Sequence, residues 1–141
     1  MKKFGKAVWH GGIKDGKGAI STESGALVEA SYGFAARFDG KPGTNPEELL
    51  GAAHAGCFTM ALSGILGEAG LTAELLETTA EVSLVKVADG WAIPAVHLIL
   101  RARVPGADRA TVVALADKAK VGCPVSKLLK ADISLDVEVL A

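Results

Sequence analysis

The sequence predicts an α+β fold with antiparallel sheet, and three observations carry that prediction. Strand-like and helix-like segments come in blocks, without the βαβα rhythm of a doubly wound sheet. Residues 96–104 and 133–139 alternate apolar and polar side chains, the period of a sheet with one buried face. Residues 45–70 carry helix signals at both ends, with Asn45 and Pro46 opening the segment and Gly70 closing it.

In chain order, 6–12 (KAVWHGG) and 16–22 (GKGAIST) read as a hairpin turning at Lys14-Asp15-Gly16. Residues 33–38 (GFAARF) read as a short strand, followed by a loop of turn formers, DGKPGTN. The long helix then starts with Asn45 as N-cap and Pro46 at its first position, and Glu47 and Glu48 face the positive helix end. Residues 78–87 alternate loosely, with Ala80, Val82 and Leu84 on one face, and turn at Ala88-Asp89-Gly90. In the next strand Val96, Leu98, Leu100, Ala102 and Val104 oppose His97, Arg101 and Arg103. Residues 107–121 read as an amphipathic helix with Val112, Ala116 and Ala119 at helical spacing. A short helix, PVSKLLKA, follows Cys123, and the last strand points Ile133, Leu135, Val137 and Val139 inward. There is no internal repeat or linker, so residues 1–141 are expected to form a single domain.

Bulk properties exclude several functions. Half of the 141 residues are hydrophobic, enough for a sizeable core, and the 17 glycines follow no low-complexity period. With a net charge of −1 and no basic run longer than two residues, the chain is not expected to bind nucleic acid. The start, MKKFGKAVWHGG, has no apolar stretch behind its lysines and does not read as a signal peptide. The apolar region 49–66 is interrupted by Gly51, His54, Gly56, Thr59, Ser63 and Gly64, which suits a buried helix better than a membrane span. A cytoplasmic location with no membrane partner is the expectation. Two cysteines without CxxC spacing do not make a disulfide scaffold.

Those cysteines are the chemically pointed residues. Cys123, in VGCPVSKLL, lies at or near a helix N-cap, where the dipole favours a thiolate. Cys57 sits deep in its helix among Ala53, His54, Phe58 and Ala61, where an apolar setting raises a thiol pKa. On this ground alone Cys123 would be the nucleophile. A buried structural cysteine is the plainer reading of Cys57. His54, one turn earlier, reads as a base for the thiol, a packed core histidine or part of a Cys/His metal site. The three histidines lack close ligand spacing, so no metal is expected. Glu47 and Glu48 are explained by the helix dipole, and Arg37 by an ordinary strand charge.

The paired segments GTNPEELLGAAHAGCF and GCPVSKLL resemble those of the osmotically inducible protein C (OsmC) and organic hydroperoxide resistance family, closer to the OsmC branch. GKGAISTESG, YGFAARF, GEAGLT and TTAEVSL extend the resemblance along the chain. It implies an OsmC-like fold, antiparallel sheets around long central helices, and an intertwined two-fold homodimer with two sites at its interface. It implies a cofactor-free, thiol-dependent peroxidase that reduces organic hydroperoxides to alcohols, recycled by a dithiol such as a lipoylated protein. Cys57 would be the peroxidatic cysteine and Cys123 the resolving one, reversing the choice made from the helix dipole. Glu47 matches the family's glutamate, and Arg37 the arginine of the OsmC branch. The sister branch carries its basic residue near the position of Lys17 and tends to lack a histidine at position 54.

The implied roles make chemical sense. A thiolate attacking a peroxide expels an alkoxide, and a permanent cation stabilises both charges. A glutamate can fix that guanidinium through a bidentate contact. The sulfenic acid product condenses with a second thiol. Phe58, Met60 and Leu62 lie near Cys57 in sequence and are the expected apolar wall for an organic substrate. Glu47 and Cys57 are ten residues apart on one helix, about 15 Å along its axis. Glu47 is therefore expected to serve the cysteine of the other subunit, the two helices crossing at the small residues Gly51, Ala52, Ala53, Ala55 and Gly56. Two other readings stand beside this one. The first is a dimeric binding or structural protein with inert cysteines. The second is a Cys/His hydrolase or transferase using Cys57 and His54.

Overall fold

In the computed structural model, which describes residues 1–141, the chain divides into two compact units, Met1–Leu49 and Leu50–Ala141. The first begins with β1 (Gly5–His10), paired antiparallel with β2 (Lys17–Thr22), which pairs antiparallel with β3 (Ala30–Tyr32). This is the expected hairpin with one strand added. Across it Trp9 and Tyr32 pack with ring centroids 5.6 Å apart. A Cβ on Gly18 would come within 2.3 Å of the Tyr32 ring, so only glycine lets that ring lie flat on the strand.

Residues expected as a strand at 33–38 instead form a short helix, α1 (Phe34–Phe38). The helical spacing brings Phe34 and Phe38 together as i,i+4 neighbours with centroids 4.9 Å apart. The loop that follows is pinned where the Thr44 N–H donates to Ser31 O at 2.8 Å, with Gly43 in the positive-φ region (φ 134°). No residue of this first unit is buried, and Phe4, Val8, Ile13, Val28 and Phe38 are exposed.

The long helix α2 (Pro46–Glu68) starts and stops as its sequence predicts. Asn45 Oδ1 accepts from the Glu48 N–H at 2.8 Å, satisfying one orphan donor of the first turn. At the other end Gly70 has φ 73°, and the N–H groups of Gly70 and Leu71 return to Gly67 O and Leu66 O, a Schellman ending.

In the second unit β4 (Leu75–Val87) and β5 (Gly90–Arg103) form a long antiparallel hairpin, and β6 (Asp132–Val139) completes a sheet of order β4-β5-β6. Here the expectation of purely antiparallel sheet is corrected, because β6 runs parallel to β5. The cause is the connection. The chain leaves the end of β5, crosses over through α3 (Arg109–Gly122) and α4 (Pro124–Leu128), and re-enters at the same edge as β5, a crossover that makes the strands parallel.

One face of this sheet carries the core. Val96, Leu98, Leu100 and Ala102 of β5 pack with Phe58, Leu62 and Leu66 of α2 and with Val112, Ala116 and Ala119 of α3, all essentially unexposed. Fully burying each large apolar side chain contributes about 1.5–3 kcal/mol. A Cβ on Gly51 would stand 3.0 Å from Ala80 O, which shows how closely α2 approaches β4. The outer face is polar. Arg101 spans the three strands, bonded to Glu77 at 2.8 Å and Glu138 at 3.0 Å, and His97 reaches Ser134 and Asp136.

Candidate active site

The two cysteines, 66 residues apart in sequence, meet: their Sγ atoms are 2.8 Å apart, and both are free thiols. Cys57 is presented from the middle of α2 and is partly exposed, whereas Cys123 is fully buried. Cys123 is the single residue between two helices, ending α3 and capping α4, with Pro124 fixing the direction of the second. This hinge turns the sulfur towards α2.

The thiols do not have equal acidity. Burial pushes the Cys57 thiol up, and the contact with Cys123 adds to that, partly offset by the Val125 N–H. Burial also opposes charge on Cys123, but its contact with Cys57 and the polar groups of Ser126 and Val125 in the first turn of α4 outweigh this and bring it down. These α4 groups favour a thiolate without closing a cap hydrogen bond. Within one chain these surroundings raise the Cys57 thiol and lower the Cys123 thiol.

Arg37 and Glu47 form a second constellation, within the first unit. Arg37 Nε donates to Glu47 Oε2 at 3.1 Å and Nη2 to Oε1 at 2.5 Å, a bidentate pair in which the carboxylate is largely covered. Helix α1 positions the arginine, whose guanidinium carbon lies 5.4 Å from the Phe38 ring centroid. The first turn of α2 positions the glutamate. The two acids there have separate work: Glu48 accepts from Thr44 Oγ1 at 2.6 Å, leaving Glu47 to hold the guanidinium. Lys17, the alternative cation, heads β2 opposite His10.

Beside Arg37 lies an apolar cavity of about 300 Å³, walled by Trp9, Ile13, Tyr32, Phe34 and Phe38. This wall differs from the expected one. Phe58 and Leu62 are wholly buried in the core, and Met60 is 73% exposed on the other side of α2, so the three do not form one surface. The reason is periodicity: His54, Phe58, Leu62 and Leu66 are spaced by four and share the helix face that packs on the sheet. The pocket aromatics lie in segments distant from the cysteines in sequence, and only the Trp9–Tyr32 and Phe34–Phe38 pairings assemble them.

His54 is completely buried, with Nε2 2.8 Å from Ser126 Oγ. Burial lowers its pKa, so the imidazole is neutral. The sequence alone does not mark Ser126; its signal is its place three residues after a capping cysteine, in the first turn of α4. No group of three or more His, Cys, Asp or Glu side chains is arranged to hold a metal.

The chain is similar to known proteins along nearly its whole length. The OsmC-like protein family matches residues 38–138. Peroxiredoxin OsmC of Escherichia coli (strain K12) is 56% identical over 138 residues, 98% of this chain and 96% of that protein. An organic hydroperoxide resistance protein of Xanthomonas axonopodis pv. citri is 33% identical over 99 residues, 68% of this chain and 66% of its own length. The crystal structure of the organic hydroperoxide resistance protein OhrB of Bacillus subtilis superposes with a TM-score of 0.73 at 29% identity, covering 97% of this chain and 98% of that one. With its paired thiols, its α+β fold and this near full-length similarity, the chain belongs to the OsmC family.

Proposed function

We propose that this protein is a peroxidase of organic hydroperoxides, serving in defence against oxidative or osmotic stress, with Cys57 as attacking thiolate and Cys123 as resolving thiol. The observation that carries the reading is the 2.8 Å separation of the two sulfurs, since a resolving thiol must reach the sulfenic acid within the fold. Attack by the Cys57 thiolate on one peroxide oxygen breaks the O–O bond. Sulfur takes up the hydroxyl as a sulfenic acid and the alkoxide leaves, to be protonated to the alcohol. The Cys123 thiolate then attacks the Cys57 sulfur, expelling the oxygen as hydroxide, which becomes water, and a disulfide remains. An external dithiol, of the lipoyl type that the resemblance implies, returns the pair to two thiols.

Arg37, held by Glu47, supplies the permanent cation for the thiolate and the departing alkoxide, and the aromatic cavity beside it takes the organic group. Two observations favour a homodimer that shares these parts. Glu47 and Cys57 lie on one uninterrupted helix, about 15 Å apart along the axis, too far for one guanidinium held by that glutamate to serve both. The free face of α2 is lined by Ala52, Ala53, Gly56, Met60 and Gly64, all exposed, on a helix apolar enough by composition to cross a membrane. A second copy laid along that face would cover it. In such a pair each Arg37–Glu47 unit serves the partner's Cys57, and the cation lowers the pKa that burial has raised. Two free thiols fit a reducing, cytoplasmic setting.

Turnover of cumene hydroperoxide with dihydrolipoamide tests the reading. The native protein is expected to turn over, Cys57→Ser to consume no peroxide, and Cys123→Ser to reduce about one equivalent and then stall. Folded native protein that leaves the peroxide intact would return the chain to the class of binding proteins with inert cysteines.

A further inference from the structure

A glycine inside a strand weakens it, yet β2 carries one at Gly18 whose backbone asks for nothing special, since its φ lies outside the positive range. The reason for it lies across the sheet. Gly18 is the register partner of Trp9 on β1 and of Tyr32 on β3, so the three form one row: ring, hydrogen, ring. Residues in such a row share a face of the sheet. The two rings meet over the glycine, with centroids 5.6 Å apart.

The fit is close. A Cβ at position 18 would stand 2.3 to 2.7 Å from its three nearest atoms, all of them in the Tyr32 ring. To reach ordinary contact at 3.4 Å, the ring would have to lift off the strand by about 1 Å. Gly16 differs, because a Cβ there would also meet Gly12 O at 2.2 Å, so that glycine is fixed by the turn. Trp9 is tied down by its Nε1–H, which donates to Gly11 O at 2.9 Å, whereas the Tyr32 hydroxyl has no hydrogen-bond partner within the chain. Tyr32 is thus the movable wall, and Gly18 the seat that sets how far it stands back. Both rings line the cavity of about 300 Å³ beside Arg37. That volume is at the small end of the range for small-molecule sites, so a shift of this size in one wall decides what fits.

We propose that Gly18 is a specificity-determining residue: by giving the Tyr32 ring room to lie on β2, it opens the cavity to bulky organic groups that a side chain at this position would shut out. The inference rests on the peroxidase reading above and deepens it, since it gives the site a preference for hydroperoxides with branched or aryl groups over small alkyl ones. Gly18 touches no substrate and acts by positioning Tyr32. An alanine there pushes the ring off the strand and towards the cavity it walls, so a large substrate loses room before a small one does. The backbone at position 18 takes alanine without strain, and alanine costs a strand less than glycine, so the variant is expected to fold.

The test is a coupling measurement. The ratio of kcat/KM for cumene hydroperoxide to that for tert-butyl hydroperoxide is expected to fall about tenfold in Gly18→Ala, the scale on which an apolar pocket discriminates one methylene. In a Tyr32→Ala background, where no ring stands in the way, the same substitution is expected to leave the ratio where it was. A general loss of structure would lower both substrates together in either background, so the ratio separates the seat from the fold. Tyr32→Ala by itself removes the wall and is expected to raise the ratio. An unchanged ratio in folded Gly18→Ala, an equal drop with and without the Tyr32 ring, or a ratio that Tyr32→Ala does not raise would each overturn the proposal. Failure of the native protein to consume either peroxide would instead overturn the peroxidase reading, and the binding of cumyl alcohol would then judge the seat. Binding about tenfold weaker in Gly18→Ala than in the native protein is expected. Equal affinity, or no binding to the native protein, would overturn the role of Gly18.

Discussion

If Arg37 and Glu47 of one subunit serve Cys57 of the other, two inactive variants must repair each other. Take Glu47→Gln, which loosens the bidentate hold on Arg37, and Cys57→Ser, which removes the attacking sulfur. The ten residues between these positions span about 15 Å of α2, so a mixed dimer built in trans places both defects in one site and leaves the other intact. A dimer built in cis has one defect in each site and no intact one. Random re-association of equal amounts gives about half mixed dimers, each with one working site of two, so the trans arrangement restores about a quarter of native activity per subunit. The assay is peroxide turnover after co-refolding the pair, with each variant refolded alone as the background. Activity that stays at the single-variant level, with mixed dimers demonstrated by mass, would refute the shared site.

Arg37→Lys keeps the charge but loses the two-point contact with Glu47, and is expected to lower kcat/KM for organic hydroperoxides about a hundredfold, with Arg37→Ala lower still. Leu98→Ala, at the centre of β5 with no exposure, should destabilise the fold by about 2–5 kcal/mol in a denaturant titration. His54 binds its proton less readily folded than unfolded, so its contribution is present above the unfolded value near 6.5 and is lost as pH falls below it. Unfolding midpoints measured from pH 7 to 5 should therefore fall more steeply for the native protein than for His54→Gln.

Local physics made much of this fold legible in the sequence. Asn45, Pro46 and Gly70 set the ends of α2 because caps act within one turn, and the alternation matched the buried face of β5 and the partly buried face of β6 residue for residue. What escaped depended on distant parts of the chain. The direction of β6 follows from a crossover through α3 and α4, which alternation cannot reveal. Residues 33–38 are a short, largely apolar stretch bounded by turn formers and read as a strand, whereas the pairing of Phe34 with Phe38 goes with their helical turn. Proximity in sequence to Cys57 suggested Phe58 and Leu62 as pocket residues, although the four-residue ladder from His54 to Leu66 already marked them as core. The Arg37–Glu47 pair and the meeting of Cys57 with Cys123 were available only through the family resemblance, since neither spacing implies contact by itself.

The proposed roles, attack by Cys57 and resolution by Cys123, are decided by counting thiols in the fully reduced protein, without oxygen, after one equivalent of an organic hydroperoxide, beside a Cys57→Ser control. The native protein is expected to lose both thiols as one alcohol forms, and the control to keep its remaining thiol. A control that loses its Cys123 thiol to peroxide as fast as the native protein would make Cys123 the attacking residue, as its lower pKa alone would suggest, and would overturn the roles proposed for the two cysteines.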